Sequence, residues 1–221
     1  MTGGFLSFNN EVAARADLKQ FVSSTRPEAD SPLRDSWVLW EQSGANTGSY
    51  SDCTRPMATI KTVSEFWRVF ESVPQPSVLL LQNKVVSNDQ ADRTVTALML
   101  FREGVKPEWE DPGNSQGGHV HFHFKTQMLP GQLDEYWNNL VLGMIGAVWE
   151  NHAMVQGIRL VDKVSMTRGA GVRFEIWFGK PGNEKDVQNL RHQIVQSMTR
   201  RLDGSQSTPP PRSEIRFHNA Q

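Results

Sequence analysis

Three short stretches hold the residue types from which a binding site could be built. In residues 106–112, Lys-Pro-Glu-Trp-Glu-Asp-Pro, one large ring, Trp109, stands among Glu108, Glu110 and Asp111 and between two prolines. Pro107 and Pro112 withhold backbone donors and disfavour helix for the residues before them, so the stretch reads as an ordered loop. A loop tryptophan beside acids suits a flat, cationic ligand, which the ring attracts by its face and the carboxylates by their charge. The plainer alternative is a ring folded back onto the core. In residues 172–178, alternation puts Val172, Phe174, Ile176 and Phe178 on an apolar face and Arg173, Glu175 and Trp177 on the other. Trp177 therefore reads as a second presented ring, and Arg168, five residues before Arg173, could converge with it on an anion.

The third stretch is His119-Val-His-Phe-His-Phe124, in which His119, His121 and His123 share a strand face. Three imidazoles at two-residue spacing raise zinc, but no carboxylate or further histidine stands at a diagnostic distance in sequence. A polar sheet face opposite Val120, Phe122 and Phe124 is the preferred reading, and no metal is expected. Chemistry by nucleophile or nucleotide cofactor finds no support either. Cys53 lies in a polar loop without a partnering His/Asn set, and Gly169 and Gly171 precede a strand rather than a helix. There is no Walker loop and no H-E-x-x-H. No catalysis and no cofactor are expected.

The 221 residues suffice for one domain with a sizeable core. No apolar run approaches the length of a membrane span, and the N-terminus lacks the basic flank and apolar centre of a secretory signal. A single cysteine forbids an internal disulfide and points to a reducing compartment. Twenty-three basic against twenty-four acidic residues argue against sequence-blind coating of nucleic acid, though not against a pocket that reads one nucleotide.

The elements that must position these residues follow from periodicity. Residues 1–30 read as a flexible arm, and 37–42, 57–61, 77–81, 94–101, 119–125, 156–161, 172–178 and 214–218 as strands. Residues 43–56 read as a polar loop with one aromatic, Tyr50, and 82–93 as an inserted polar loop. Thr62-Val-Ser-Glu65 is a capping-box sequence opening a helix to about residue 72. Its buried stripe reads as Val63, Phe66 and Phe70, with Trp67 at the edge as core or as an anchor for a partner. A long helix is expected over 133–149, and Asn183 should cap another to about residue 202. Hairpin joins and an excess of strands define an α+β fold with an antiparallel sheet.

With these residues laid out, the chain resembles the eukaryotic translation initiation factor 4E family of mRNA cap-binding proteins. "SPLRDSWVLW" is similar to the family's opening strand, "TVSEFWRVF" to its first helix and "GVKPEWEDP" followed by a glycine pair to its Trp-Glu-Asp loop. "LDEYWNNLVLGMIG" is similar to its second helix and "RGAGVRFEIW" to its basic hairpin. Trp37, Trp40, Trp67, Trp109, Trp137 and Trp177 fall on tryptophan positions of the family, and Trp149 is an extra one. The likeness covers 31–202 and the terminal strand.

The resemblance implies a single α+β domain over 31–202, with 203–221 a tail holding a short strand. Its antiparallel sheet would be curved, with three helices on the convex face and a ligand slot on the concave side. Trp109 would be one slice of a sandwich around 7-methylguanine, Glu110 would accept from the base edge, and Trp177 would touch the methyl group. Arg168 and Arg173 would hold phosphates, with His119 a weak contributor. The other slice falls on Tyr50, where the family usually has Trp. Ala170 and His119 stand where basic residues are usual. On the convex face, Val63 and Trp67, adjoined by Pro32 and Leu142, would seat a Tyr-x-x-x-x-Leu-type helix from an initiation factor 4G-like protein or a 4E-binding repressor. Asn138 stands there in place of an apolar residue. The implied protein is a monomeric, cytoplasmic cap-binding factor with a possible nuclear fraction, a divergent paralogue of a kind expected in a kinetoplastid protist. The alternative is a 4E-like interaction module with negligible cap binding.

Overall fold

The structure, a computed structural model, describes residues 30–43, 53–80, 86–87, 90–163, 170–201, 204–206 and 209–218. The expected N-terminal arm before residue 30, Tyr50 and Arg168 lie outside them. In chain order the elements are β1 (Pro32–Ser43), β2 (Thr54–Thr62), α1 (Val63–Ser72), α2 (Ser77–Leu80), β3 (Val86–Ser87) and β4 (Gln90–Arg102). There follow β5 (Gly118–Lys125), α3 (Pro130–Ile145), β6 (Val155–Asp162), β7 (Gly171–Phe178), α4 (Glu184–Thr199) and β8 (Ser213–Phe217). Seven antiparallel strands form the sheet in the order β2-β1-β4-β6-β7-β5-β8, and the short β3 pairs with β4. The fold class expected from the sequence is thus the one observed.

Local chemistry explains the element starts. At α1 the Thr62 Oγ1 accepts from Glu65 N at 3.3 Å while Glu65 Oε2 accepts from Thr62 N at 3.2 Å, the reciprocal box read from the sequence. Asn183 and Asp186 repeat the device at α4, both bonds at 3.1 Å. Pro130 opens α3, where its missing N–H costs nothing.

Three expectations are corrected. Residues 77–81 were expected as a strand, but 77–80 form the one-turn α2; a short apolar run cannot by itself tell the two apart. Asp134 Oδ1, on α3, accepts from Ser77 N at 2.7 Å and caps that turn. The expected loop 82–93 is partly strand, because β4 begins at Gln90 and Val86 pairs back to Thr94. The long helix begins at Pro130 and stops at Ile145, four residues before its expected end. Gly146 caps it, Ala147 turns at a positive φ of 52°, and Val148 is left 64 % exposed.

All the long helices cover one face of the sheet. Phe66 and Phe70 of α1, Leu133, Trp137 and Leu140 of α3, and Leu190 and Ile194 of α4 share a buried cluster with sheet residues. From the strands come Trp37, Val120, Phe122, Phe174 and Ile176, every one of them the core-facing parity of its strand. The opposite parity forms a smaller cluster on the far face: Met99, Phe101 and Trp177, joined by Trp40 and Val105. Trp149 is buried at the end of α3, its Nε1 donating to Ser197 Oγ at 2.8 Å.

Candidate functional site

Strand register lays the far-face side chains out in three rows. Arg216, His119, Trp177, Gly157, Phe101 and Val38 form the first, and Glu214, His121, Glu175, Arg159, Met99 and Trp40 the second. His123, Arg173, Val161, Ala97 and Gln42 form the third. Aromatic rings hold one end and charges the other, so a ligand with a flat head and an anionic tail would find both along adjacent strands.

The aromatic end depends on a gap. Gly157 lies between Trp177 and Phe101, and a Cβ there would meet Phe101 Cγ at 2.5 Å. Without one, the two rings meet edge to face at 5.3 Å and 77°. Trp177 was expected as a presented ring; it is 1 % exposed. His119 stacks on it at 5.8 Å and 22°, and His218 lies against it at 4.6 Å. Its Nε1 donates to Glu175 Oε2 at 3.0 Å.

Glu175 is the hub of the ionic end. It is 2 % exposed, and its Oε1 pairs with Arg173 at 2.7 Å while its Oε2 pairs with Arg159 at 3.4 Å. Arg159 also donates to Gln42 Oε1 at 2.5 Å. Burial by itself would raise the Glu175 pKa, but Arg159 and Arg173 outweigh it and hold the carboxyl below its ordinary range. Lys163 adds charge nearby: its pKa is lowered by burial and then by Arg173 and Arg159.

The loop over residues 103–117 presents Trp109 as the prolines suggested, and 56 % of the residue is exposed. Its rigidity comes from residues downstream of the ring. Asp111 accepts from Lys106 N at 3.0 Å and from Gly113 N at 2.8 Å, an Asx turn across the loop. Asn114, fully buried, donates from Nδ2 to Lys106 O at 2.7 Å and to Glu108 O at 2.8 Å. The bracing roles of Asn114 and Asp111 were not read from the sequence, although Asp-Pro-Gly-Asn is a turn-forming run that could have signalled them. Glu110, beside the ring, is exposed.

The three strand histidines separate. His119 and His121 are 6 % and 8 % exposed, against the half-exposed face expected, while His123 is open. His121 Nε2 lies 3.5 Å from Glu214 Oε2. His119 has its pKa pushed down to about 4, chiefly by burial, and its Nδ1 lies 3.2 Å from His218 Nε2. It faces other rings rather than an open phosphate position. No group of three or more potential metal ligands occurs among the described residues. His218 was a residue that sequence reasoning missed altogether.

On the helical side, Val63 and Trp67 are 39 % and 36 % exposed, so Val63 does not join Phe66 and Phe70 in the buried stripe. Pro32 is exposed and pairs with Thr62, the residue before Val63, and Leu142 is half-buried against the core. Asn138 is 5 % exposed, which makes it a buried side chain more than a displayed one.

Seven antiparallel strands with helices on one face, and rings and charges on the other, define an α+β single-domain sheet protein. Residues 32–209 match the family model for eukaryotic initiation factor 4E. The chain belongs to that family, whose members are translation initiation factors associated with mRNA cap binding and not enzymes. Eukaryotic translation initiation factor 4E of Eremothecium gossypii is 31 % identical over 149 residues, 66 % of this chain but only 61 % of that protein. Factor 4E-3 of Caenorhabditis elegans is 27 % identical over 221 residues, 92 % of this chain and 82 % of its own. The solved complex of C. elegans eIF4E-3 with the 4E-binding protein Mextli and a cap analog aligns at a TM-score of 0.64 and 22 % identity, over 84 % of this chain and 92 % of that one. Ascaris suum eIF4E-3 with an m2,2,7G cap gives 0.64 at 22 %, over 85 % and 98 %. At such identities the solved structures bear on the fold alone. A kinetoplastid origin is not shown by these matches. Among the described residues, no helix is long and apolar enough to cross a membrane.

Proposed function

We propose that this chain binds the 7-methylguanosine cap of mRNA and offers Val63 and Trp67 to partners in translation initiation. The observation that carries the reading is Trp109, more than half exposed on a loop cross-braced by Asp111 and Asn114, with Glu110 beside it. N7 methylation makes guanine cationic, so an electron-rich ring and a carboxylate both favour it over the unmethylated base. Stacking contributes about 1–3 kcal/mol per ring, and a cation–π term adds up to about 2 kcal/mol in a dry slot. On this reading Tyr50 supplies the opposite slice and Arg168 with Arg173 the grip on phosphate, while Trp177, buried under His119 and His218, forms the floor on the methyl side rather than an open wall. His119, buried among other rings and uncharged at neutral pH, adds no charge to that grip. A Tyr-x-x-x-x-Leu-type helix from an initiation factor 4G-like protein or a repressor would sit on Val63 and Trp67, with Pro32 and Leu142 alongside and Asn138 altering the choice of partner. The supporting observation is that α1 leaves both anchors exposed. A cytoplasmic location accords with this role.

Titration of m7GTP and GTP against the protein, followed by tryptophan fluorescence, tests the cap assignment. Saturable quenching with a preference of at least about tenfold for m7GTP is expected, worth about 1.4 kcal/mol. Equal affinities would refute it. Trp109→Ala and Glu110→Ala should each lose retention on a cap resin while keeping the wild-type circular dichroism.

One observation favours a second reading, a 4E-like interaction module with negligible cap binding. Arg173 is already neutralised by Glu175 at 2.7 Å, which reduces the charge left for phosphate. That module would show no saturable m7GTP binding and would still capture the Tyr-x-x-x-x-Leu peptide.

A further inference from the structure

We propose that His218 is a third ring of the cap site, an uncharged imidazole that backs Trp109 and favours a cationic base over a neutral one; this rests on the cap reading above. His218 directly follows β8, and its backbone N–H donates to Gly117 O at 3.0 Å, which places its ring at the foot of the Trp109 loop. The ring stacks on Trp109 at 5.7 Å and 14° and lies tilted against Trp177 at 4.6 Å and 55°. It thus touches both tryptophans assigned to the methylated base, and the exposed remainder of Trp109 is left for a ligand.

Hydrogen-bond direction fixes one proton of this ring. The Asn114 carbonyl can only accept, so the 2.8 Å contact requires the proton on His218 Nδ1. In the neutral ring His218 Nε2 is bare and accepts from His119 Nδ1–H at 3.2 Å. The chain runs His119 to His218 to the Asn114 carbonyl, with both rings neutral. A second proton on His218 would reverse that bond, with His119 taking the Nε2–H tautomer, and would place a cation behind the ring that must stack on a cationic base. The groups facing His218 are Trp109 and the Glu110 charge from the loop, His119 from β5, Trp177 and the Glu175 charge from β7, and the Asn114 carbonyl. Burial lowers the His218 pKa; the Asn114 carbonyl, Glu175 and Glu110 pull it back in part, and it stays below its ordinary value of 6.5. The ring is therefore neutral at neutral pH, and the preference for the methylated base is lost only as pH falls through the lowered folded pKa.

The test measures m7GTP and GTP affinities from about pH 7 downward through the midpoint at which the His218 ring titrates, for the wild type and His218→Phe, which keeps a ring that cannot take up a proton. In the wild type the m7GTP/GTP preference should fall severalfold on acidification. In His218→Phe, m7GTP should bind about threefold more weakly at neutral pH, as for loss of the two bonds that seat the backing ring, and the preference should be flat across the window. Linkage supplies a second readout on the unaltered protein: saturating m7GTP must lower the midpoint at which the His218 ring protons titrate by NMR. Equal pH dependence in both proteins, or a midpoint that m7GTP leaves unmoved, overturns the inference. Absence of saturable m7GTP binding by the wild type at neutral pH overturns the cap reading itself.

Discussion

Removal of the Glu175 carboxylate should be the most damaging single change on the far face of the sheet. Glu175 is 2 % exposed and binds two guanidinium groups and an indole N–H, so Glu175→Ala leaves Arg173 and Arg159 without their shared counter-ion. Breaking a buried pair from one side costs about 3–5 kcal/mol, because the charge left behind stays desolvated. For a domain of this size each kcal/mol moves Tm by about 2–4 °C, so a fall of roughly 6–20 °C is expected. Arg159 and Arg173 are only half-buried and water can reach part of each, which places the expectation toward the lower end. Urea unfolding followed by tryptophan fluorescence and by circular dichroism measures the change. Glu175→Ala combined with Arg173→Met should recover part of the loss, since the second substitution removes one orphaned charge. A loss under about 1 kcal/mol, or strict additivity in the double variant, would refute the hub. The pH dependence has a definite sign. The folded carboxyl titrates below its ordinary 4.5, so its stabilisation is complete above that value and is lost as pH falls through the folded pKa. The wild type should therefore lose stability more steeply than Glu175→Gln as acid is added below about pH 4.5.

Other outcomes follow from the same geometry. Asn114→Ala removes two bonds to loop carbonyls and should cost about 1–3 kcal/mol; amide exchange across residues 106–113 should speed up and m7GTP affinity should drop. Gly157→Ala would force a Cβ to within 2.5 Å of Phe101 Cγ and 2.6 Å of Leu100 O, and should destabilise by about 1–3 kcal/mol with a shift in tryptophan emission. Trp67→Ala, at the exposed edge of α1, should change stability by about 1 kcal/mol or less yet remove binding of a Tyr-x-x-x-x-Leu peptide in calorimetry, with m7GTP binding retained.

Much of the fold was legible because it is written in local periodicity. Strict alternation marked β5 and β7 within a residue of their bounds, and the Thr62/Glu65 box marked the start of α1. Where the local signal is degenerate, the reading failed. Ser77–Leu80 is a helical turn whose first N–H is capped by Asp134 of α3, a residue far along the chain. The end of α3 is set by backbone geometry at Gly146 and Ala147 that side-chain spacing continued through.

The candidate site divides in the same way. Sequence alone determined which residues share a face, since parity along a strand is a property of the backbone: Arg173, Glu175 and Trp177 on one side, the three histidines likewise. Proline placement determined that Trp109 would stand on a loop. What covers each of these groups depends on strands brought together from distant parts of the chain. Trp177 is sealed by Phe101, His119 and His218, and the Glu175 charge is met by an arginine on β6 as well as by one on its own strand. Burial, charge pairing and the protonation of His119 and His218 are properties of those long-range neighbours, and only the tertiary structure could decide them.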